Sequence, residues 1–365
     1  MIRWQGKHGR HDLPWQQSRD PYRVWLSEIM LQQTRVATVL DYYPRFLQRF
    51  PDLRALAAAP LEDVLQVWAG LGYYARARLA HACARTLVQS HRARFPDTAQ
   101  ALQRLPGIGP STAAAIAAFC FGERAAILDA NVRRVLARRY AIEGDPGRPQ
   151  VLQQLWERAR ALLPQAHQIG SYTQAIMDLG ATICTRSRPR CEACPVSGDC
   201  QAYRQGRTAE LPVRRPSRPR PVRTAHLLVA LNKRAVLLEQ REARGLWGGL
   251  LSLPQFSRYE DLARAARELG AAKPRPLAPR QHSFTHFTLA FTPHVLHLPG
   301  ARARAAPRRW LALAKIDHAA LPAPILALLR ELRDGPGESE CRAQARPIDC
   351  APNRGTRAKA RHRLR

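Results

Sequence analysis

Four cysteines lie within one short stretch of the chain, with the spacing C-x6-C-x2-C-x5-C. Four thiolates that converge on one centre can hold a zinc ion or an iron–sulfur cluster. Zinc sites usually pair two C-x2-C knuckles, whereas this stretch has one such knuckle with a longer arm on each side. Because the corners of a cubane lie further apart than the ligands of one ion, the spacing favours a [4Fe–4S] cluster within 184–200. The predicted ligands are Cys184, Cys191, Cys194 and Cys200.

Two carboxyl groups elsewhere have the surroundings of an acid and a base. Glu28 shares a helix face with Val24 and Leu31, so it faces a core or a cleft, where desolvation raises the pKa of a carboxyl group. Asp129 follows an apolar run and precedes an Arg-rich helical pattern, where helix N–H groups favour the ionised form. The alternatives are a surface Glu at the edge of the stripe and an ordinary N-cap. A protonated acid and a carboxylate are the pair that cleaves a glycosidic bond.

A Gly- and Pro-rich turn separates two helical segments at Leu105–Thr112. Gly107 and Gly109 allow positive φ and a close approach of the backbone to a ligand, and Pro110 suits the first position of the following helix. The free N–H groups at that helix start form a natural site for a phosphate. A plain turn between two helices also uses Gly and Pro, so the turn predicts a phosphate contact only together with the charge of the chain.

The chain carries 58 Lys and Arg against 28 Asp and Glu, a formal charge of +30. Such an excess indicates a polyanionic partner, most often nucleic acid; an Arg-rich genome would explain the choice of Arg but not the excess over acids. We find no apolar run of the ~18 residues that a membrane span needs and no signal-peptide core. The expectation is a monomer in the cytoplasm, associated with the nucleoid, where cysteines bind metal rather than form disulfides.

The elements that must position these residues are mostly helical as far as about residue 205. Apolar positions recur at helical spacing in 22–33, 36–50, 61–69, 76–89, 111–121 and 131–140. Cys83 and Cys120 fall within these patterns and are expected to pack in the core. The sequence therefore predicts an all-α domain over 1–206.

A second domain follows the stiff, basic, Pro-rich linker at 207–223. Its pattern predicts a hairpin from His226–Leu231 and Ala235–Glu239, an amphipathic helix at Tyr259–Leu269, paired strands within Phe284–Leu298 and a final helix at Leu321–Leu332. These elements predict an α+β domain over 224–333. Residues 334–365 are polar and Arg-rich, which predicts a disordered basic tail. Cys341 and Cys350 in that tail have no assigned role.

Five motifs, in this order along the chain, resemble those of the MutY-type adenine DNA glycosylases. They are Trp25–Thr34, Gly70–Arg78, Leu105–Thr112, Ile127–Val132 and the four-cysteine loop. The resemblance covers roughly residues 10–330. It implies a helix–hairpin–helix glycosylase domain of the endonuclease III superfamily with its [4Fe–4S] loop, followed by a Nudix-like α+β domain for lesion recognition. The implied reaction flips and hydrolytically removes adenine mispaired with 8-oxoguanine or guanine in double-stranded DNA, as part of base excision repair.

The resemblance also implies roles for individual residues. Glu28 resembles the acid that protonates N7 of adenine, Asp129 the carboxylate that stabilises the cationic sugar, and Asn131 a residue that helps to order the site. Gln32 and Tyr73 resemble the residues pushed into the base stack beside the lesion. The residues that resemble the adenine pocket are Trp15, Leu31 and Gln174, and those that resemble the lesion-recognition loop are Phe284, Thr285 and His286.

Four departures from related patterns refine this expectation. Thr285 stands where the lesion loop usually has Ser, and Ala130 stands where Gly is common. Ser111 occupies the position at which the endonuclease III family carries a Lys that forms a Schiff base and cuts the strand. Because a hydroxyl group cannot form that imine, the chain is expected to be monofunctional. The Nudix-like domain retains only Arg267-Glu268-Leu269 of the acidic metal-binding cluster, so it is expected to bind rather than hydrolyse.

The sequence disfavours two other functions. An endonuclease III-like glycosylase and lyase for oxidised pyrimidines is disfavoured by Ser111 and by the whole of the second domain. A non-catalytic DNA-binding iron–sulfur protein is disfavoured because Glu28 and Asp129 are both present.

Overall fold

The computed structural model describes residues 1–213, 219–243, 245–270, 273–299 and 307–335. A helical part precedes a part built on a β-sheet, which confirms the predicted fold class. The tail from residue 336 onward, with Cys341 and Cys350, and residues 214–218 of the linker lie outside the described residues. Within the described ranges, no helix is long and apolar enough to cross a membrane.

The helical part follows the predicted apolar periods closely. Its helices are α1 (Ile2–His8), α2 (Pro21–Leu31), α3 (Val36–Arg49), α4 (Leu53–Ala58), α5 (Leu61–Trp68), α6 (Ala75–Ser90), α7 (Ala99–Leu102), α8 (Pro110–Ile116), α9 (Ala130–Arg139), α10 (Pro149–Ala161), α11 (Ile169–Asp178) and α12 (Gln201–Arg204). α2 begins where Asp20 accepts a hydrogen bond from the backbone N–H of Tyr22 at 3.0 Å, with Pro21 in the first position. It ends before Gln33, whose φ of 57° is left-handed.

The core of this part forms around α2, which packs against α3, α6 and α8. Its side chains Trp25, Leu26 and Met30 are fully buried. Burial of each large apolar side chain stabilises the fold by about 1.5–3 kcal/mol, so this face fixes the rotation of α2 about its axis. The opposite side of the helix, which carries Glu28, is left to face a cavity.

Helices α8 and α11 both continue into a single π-helical turn, at Ala117–Phe121 and Leu179–Ile183. Such turns are rare in proteins and often occur at functional sites. Side chains of both turns line the same cavity as Glu28, with Phe119 on one side and Ala181 on the other. The two irregular turns therefore shape the wall of that cavity.

The second part is a mixed sheet with helices α13 (Tyr259–Glu268) and α14 (Ala323–Asp334). Its strands are β1 (Val222–Asn232), β2 (Ala235–Gln240), β3 (Leu251–Ser252), β4 (Gln255–Phe256), β5 (Arg275–Pro276), β6 (Arg280–Ser283), β7 (Thr288–His297) and β8 (Arg308–Ala312). β1 pairs in parallel with β7 along their length. β1 also pairs antiparallel with β2, Asn232 opposite Ala235, which confirms the predicted hairpin.

The prediction of paired strands within Phe284–Leu298 was wrong in one respect. The strand that forms a hairpin with β7 is β6, which ends at Ser283, and the residues from Phe284 to Phe287 form the turn between them. The backbone N–H of Phe284 donates to the carbonyl of Phe287 at 2.8 Å, and their rings stack with centroids 4.6 Å apart. Phe284 and Phe287 pack against each other within the turn. The alternation of apolar residues at this point of the sequence therefore does not belong to a strand.

The two parts contribute buried side chains to one hydrophobic cluster and also contact each other through polar interactions. A guanidinium nitrogen of Arg78 on α6 donates to the carbonyl of Gly248 at 2.5 Å. Arg309 on β8 forms an ion pair with Glu62 on α5. These contacts bring the β6–β7 turn against the loop that precedes α6, where Tyr73 lies.

Candidate active site

Glu28 and Asp129 line one open cavity of about 1280 Å³ in the helical part. We call it the active-site cavity. The structure brings these two residues together with Asn131, Trp15, Leu31, Gln32, Ser111 and Gln174, all of which were selected from the sequence. The remaining selected residues, Tyr73, Gly107, Gly109 and Phe284–His286, lie on other surfaces and do not line this cavity.

The Glu28 carboxyl group has the pKa expected of an acid. Burial, and to a lesser extent the charge of Asp129, together raise its pKa to about 8. Desolvation dominates because a carboxylate loses its hydration in the cavity wall. Glu28 is therefore mostly protonated at neutral pH and can donate a proton to a base that enters the cavity.

Asp129 is the N-cap of α9, as predicted, and accepts a hydrogen bond from the backbone N–H of Val132 at 2.7 Å. Burial raises the pKa of this carboxyl group. Hydrogen bonds from the N–H groups of Val132 and Asn131, followed by the charges of Arg134 and Arg133, offset only part of this effect, so the pKa stays above its usual value. The sequence interpretation considered only these last effects and did not include the burial. The groups around Asp129 thus donate hydrogen bonds that stabilise its ionised form. Glu28 lacks such donors.

Asn131 is held in place by Arg134, which the sequence interpretation did not single out. The Arg134 guanidinium donates to the Asn131 side-chain oxygen at 2.8 Å, to the carbonyl of Gly180 at 2.6 Å and to that of Cys184 at 2.7 Å. A Cβ atom at Gly180 would lie 2.7 Å from the Cβ of Asn131. The start of α9 and the end of α11 can therefore approach only with glycine at this position.

Ser111 lies in the first turn of α8 and on the cavity wall. Its hydroxyl oxygen accepts a hydrogen bond from the backbone N–H of Leu128 at 3.3 Å. The residue thereby positions the strand-like segment that leads to Asp129. It places a hydroxyl group, and no amine, beside the two carboxyl groups.

A buried arginine, Arg76, supports the helix that carries Glu28. Its guanidinium donates to the carbonyls of Ile29 and Met30 at 2.9 and 2.7 Å, which are orphan acceptors at the end of α2. It also donates to the carbonyls of Leu71 and Gly72 in the loop before α6. The sequence interpretation missed this role, because nothing in the pattern distinguishes Arg76 from the neighbouring arginine two positions later.

Tyr73 and the β6–β7 turn meet outside the cavity. The Tyr73 hydroxyl and the Thr285 hydroxyl are 2.9 Å apart, although 212 residues separate them in sequence. Tyr73 is 45% exposed and has a left-handed φ of 49°. Thr285 and His286 are exposed, whereas Phe284 packs its ring against Trp247 and Phe287. The packed aromatic rings therefore support the turn, and the turn exposes the polar side chains of Thr285 and His286.

The two glycines of the hairpin differ in conformation. Gly107 has a φ of +77°, and a Cβ there would lie 2.8 Å from the Cβ of Leu79. Gly109 is the N-cap of α8 with a φ of −85°, so it does not use the positive φ that glycine allows. Its hydrogen atoms face open space. Glycine at 107 serves the fold, whereas glycine at 109 leaves room for something outside the protein.

The cysteines at 184, 191, 194 and 200 surround one small apolar cavity, together with Arg138 and Tyr203. All four are free thiols. Arg138 is almost completely buried, and its guanidinium donates to the sulfur of Cys184 at 3.3 Å and to the carbonyl of Thr185 at 2.7 Å. Four thiols around one cavity fit the four corners of an iron–sulfur cluster.

Comparison with known proteins agrees with both parts of the chain. The HhH-GPD superfamily of base excision DNA repair proteins matches residues 26–161, the iron–sulfur binding domain of endonuclease III matches 184–200, and the NUDIX domain matches 226–331. An adenine DNA glycosylase of Buchnera aphidicola subsp. Baizongia pistaciae is 36% identical over 296 residues, which cover 80% of this chain and 84% of the relative. The chain belongs to the MutY-type adenine DNA glycosylases.

Further relatives agree with this membership. The adenine DNA glycosylase of Mus musculus is 35% identical over 399 residues, covering 92% of this chain and 77% of the relative. A solved thermostable thymine-DNA glycosylase superposes with a TM-score of 0.51 at 29% identity, covering 56% of this chain and 93% of its own. As a MutY-type glycosylase, the chain is a DNA N-glycosylase with a [4Fe–4S] cluster.

The four cysteines fit the cluster of the MutY-type glycosylases, and we infer that they are its ligands. A [4Fe–4S] cluster takes four thiolates, and the Arg138 guanidinium already donates to one of these sulfurs. The same guanidinium donates to the carbonyl of Leu211 at 2.8 Å. Arg138 therefore ties the cysteine loop to α9, which starts at Asp129, so the bound cluster would support the geometry of the active-site cavity.

Cys194→Ser should lower the iron content of the purified protein, because one thiolate ligand is lost. Cys120→Ser is the matched control, since Cys120 lies in the wall of the active-site cavity and away from the cysteine loop. Iron is measured per chain after anaerobic purification. An unchanged iron content in Cys194→Ser would contradict the ligand assignment.

Gly107→Ala should destabilise the protein by about 1–3 kcal/mol, because alanine is strained at positive φ and meets Leu79. Gly109→Ala should leave the thermal unfolding midpoint nearly unchanged but weaken DNA binding, since its methyl group would occupy the open face. Thermal unfolding and DNA titration of both variants test this. Equal loss of stability in the two variants would show that both glycines serve the fold alone.

Proposed function

We propose that the chain is a monofunctional glycosylase that flips and removes adenine opposite 8-oxoguanine or guanine in double-stranded DNA. The observation that carries this proposal is the pair of unlike carboxyl groups in one cavity. Glu28 has a pKa raised to about 8, whereas Asp129 accepts hydrogen bonds at a helix start. An acid and a carboxylate with such separated environments are what an oxocarbenium-like glycosidic cleavage requires.

The chemistry then runs as follows. Glu28 gives its proton to N7 of adenine while the bond between the sugar C1′ and the base N9 breaks, and the bonding electron pair leaves with the base. The Asp129 carboxylate stabilises the cationic sugar, and Asn131 orders the site. A water molecule adds to C1′ and gives up a proton to the Glu28 carboxylate, which restores the acid, so the products are free adenine and an abasic site.

Ser111 supports the monofunctional part of the proposal. Strand cleavage by a lyase of this superfamily needs an amine that forms an imine with the sugar C1′, and a hydroxyl group cannot form one. The Ser111 hydroxyl is also engaged with the backbone N–H of Leu128. Water is therefore the proposed nucleophile.

Removal of a normal base requires that the opposite base be read. The pocket for adenine receives the same base whether it was paired correctly or not, so the information must come from the other strand. We propose that the turn that carries Thr285 and His286 reads it, since both side chains are exposed and Thr285 touches Tyr73. In this scheme 1–206 is the catalytic domain, 207–223 the linker, 224–333 the lesion-reading domain, and 334–365 an additional basic segment for DNA.

Tyr73 and Gln32 are the proposed intercalating residues. Tyr73 projects from the loop before α6 at a left-handed φ of 49°, and Gln32 follows the end of α2. Arg76 holds the backbone on both sides of them, because it donates to the end of α2 and to that loop. The two side chains therefore come from one braced edge of the active-site cavity, where they could fill the gap left by a flipped base.

Glu28→Gln should slow adenine release by about 10²–10⁴-fold, the usual contribution of a general acid, while DNA affinity stays within a few-fold. For the wild type, the single-turnover rate should be constant below pH 8 and fall above it, because the acid must be protonated and its pKa is raised to about 8. The variant should lack this decline. Retention of the decline would assign the titration to another group.

Replacing Thr285 and His286 with Ala should reduce the preference for 8-oxoguanine over guanine opposite adenine. Thr285→Ser is the matched control, because it keeps the hydroxyl that faces Tyr73. Single-turnover rates on the two duplexes give the ratio. Slowing of both duplexes by one common factor would mean that the turn adds affinity without reading the opposite base.

A further inference from the structure

A buried carboxylate at the end of α11 determines how one side chain of the active-site cavity is oriented. Asp178 is completely buried. Its Oδ2 accepts from the backbone N–H of Arg10 at 3.0 Å, and its Oδ1 accepts from the Arg10 guanidinium at 2.8 and 2.7 Å. The Oδ1 atom also accepts from Nε2 of Gln174 at 3.0 Å. Each of these groups that contact the Asp178 carboxylate is thus a hydrogen-bond donor.

This arrangement fixes which end of the Gln174 amide faces Asp178. A carboxylate paired with arginine offers only acceptors, so Gln174 must turn its NH₂ group toward it. The carbonyl oxygen Oε1 then lies on the other branch of the planar amide. No hydrogen bond from a residue in the described ranges to this oxygen is found, and Gln174 lines the active-site cavity. The cavity is thereby given an acceptor at Gln174.

We propose that Asp178 is a positioning residue that holds the Gln174 amide with Oε1 toward the flipped base, and that this selects a 6-aminopurine over a 6-oxopurine. The inference rests on the proposed function, since it takes the base to be adenine. The 6-amino group of adenine is a donor and matches Oε1. The 6-oxo group of hypoxanthine is an acceptor, and two facing acceptors leave both unsatisfied.

The ion pair with Arg10 is what makes the orientation stable. A buried carboxylate needs donors around it, and the Arg10 guanidinium and backbone N–H supply them on both oxygens, so that Asp178 offers Gln174 only an acceptor. Arg10 comes from the segment after α1, and α1 packs against α11, which carries both Gln174 and Asp178. The N-terminal segment thus contributes to base selection through one guanidinium and one backbone N–H.

The test compares adenine with hypoxanthine, each placed opposite 8-oxoguanine in the same duplex. Single-turnover rates are measured for the full-length wild type, Asp178→Asn and Arg10→Lys. An Asn at 178 can donate its own NH₂ group to Oε1, so the adenine-to-hypoxanthine rate ratio should fall about tenfold, as expected for one hydrogen bond of about 1.4 kcal/mol. Arg10→Lys keeps a positive charge opposite Asp178 and should keep the ratio.

The ratio separates a specific role from general damage. The two bases differ in lability and in pairing, but these differences are the same in every variant. Equal slowing of both bases in Asp178→Asn would overturn the proposal. If that variant does not fold, Gln174→Met decides, since it removes the acceptor and keeps the Arg10 pair; an unchanged ratio there also overturns the proposal.

The rates of the wild type separate a failure of the role proposed for Asp178 from a failure of the proposed glycosylase activity. A wild type that releases adenine and hypoxanthine equally well refutes the role of Asp178 and leaves the proposed glycosylase activity intact. A wild type that releases neither base refutes the proposed function itself. A marked preference for adenine that collapses in Asp178→Asn supports both.

Discussion

The structure depends on keeping two carboxyl groups close together in one desolvated cavity. Two negative charges in such a place repel, and burial penalises each of them. In this protein, hydrogen-bond donors surround the Asp129 carboxyl group, and the Glu28 carboxyl group has none of them. The asymmetry arises from the fold, because Asp129 is at a helix start with free N–H groups whereas Glu28 is in the middle of α2, whose N–H groups are already used. The surrounding elements hold this asymmetry in place.

Buried and half-buried arginines hold many of these elements. Arg76 gathers the carbonyls at the end of α2, Arg134 joins Asn131 to Gly180 and Cys184, and Arg138 joins α9 to the cysteine loop. A guanidinium group carries five donors in a rigid plane, so one residue can satisfy several carbonyls at irregular helix ends. The charge of +30 is therefore not entirely a surface for DNA. Part of it lies inside the protein, where it connects segments that no regular element connects.

The sequence predicted what depends on local spacing. The helices, the N-cap at Asp129, the cleft-facing position of Glu28 and the cysteine loop follow from periodicity and motif order. It did not predict contacts between distant segments, such as that of Arg10 with Asp178, which lie 168 residues apart. The local pattern also did not separate Gly107 from Gly109, which has an ordinary extended conformation. The reason is that a glycine has two uses, conformational freedom and absence of a side chain, and only the structure separates them.

The contact between Tyr73 and Thr285 joins the two parts of the molecule on the side where DNA would lie. Tyr73 belongs to the loop that Arg76 ties to the end of α2, so its position is linked through that guanidinium to the helix that carries Glu28. Thr285 belongs to a turn built on stacked aromatic rings. Neither side chain is buried, so their hydrogen bond contributes little to folding in water. The hydrogen bond instead fixes the position of the two hydroxyl groups relative to each other. In the proposed function, the hydroxyl group that reads the opposite base and the hydroxyl group that enters the base stack lie 2.9 Å apart. The strand to be read and the strand that carries the adenine would then be engaged from one place, and an opposite base that displaces Thr285 would also displace Tyr73.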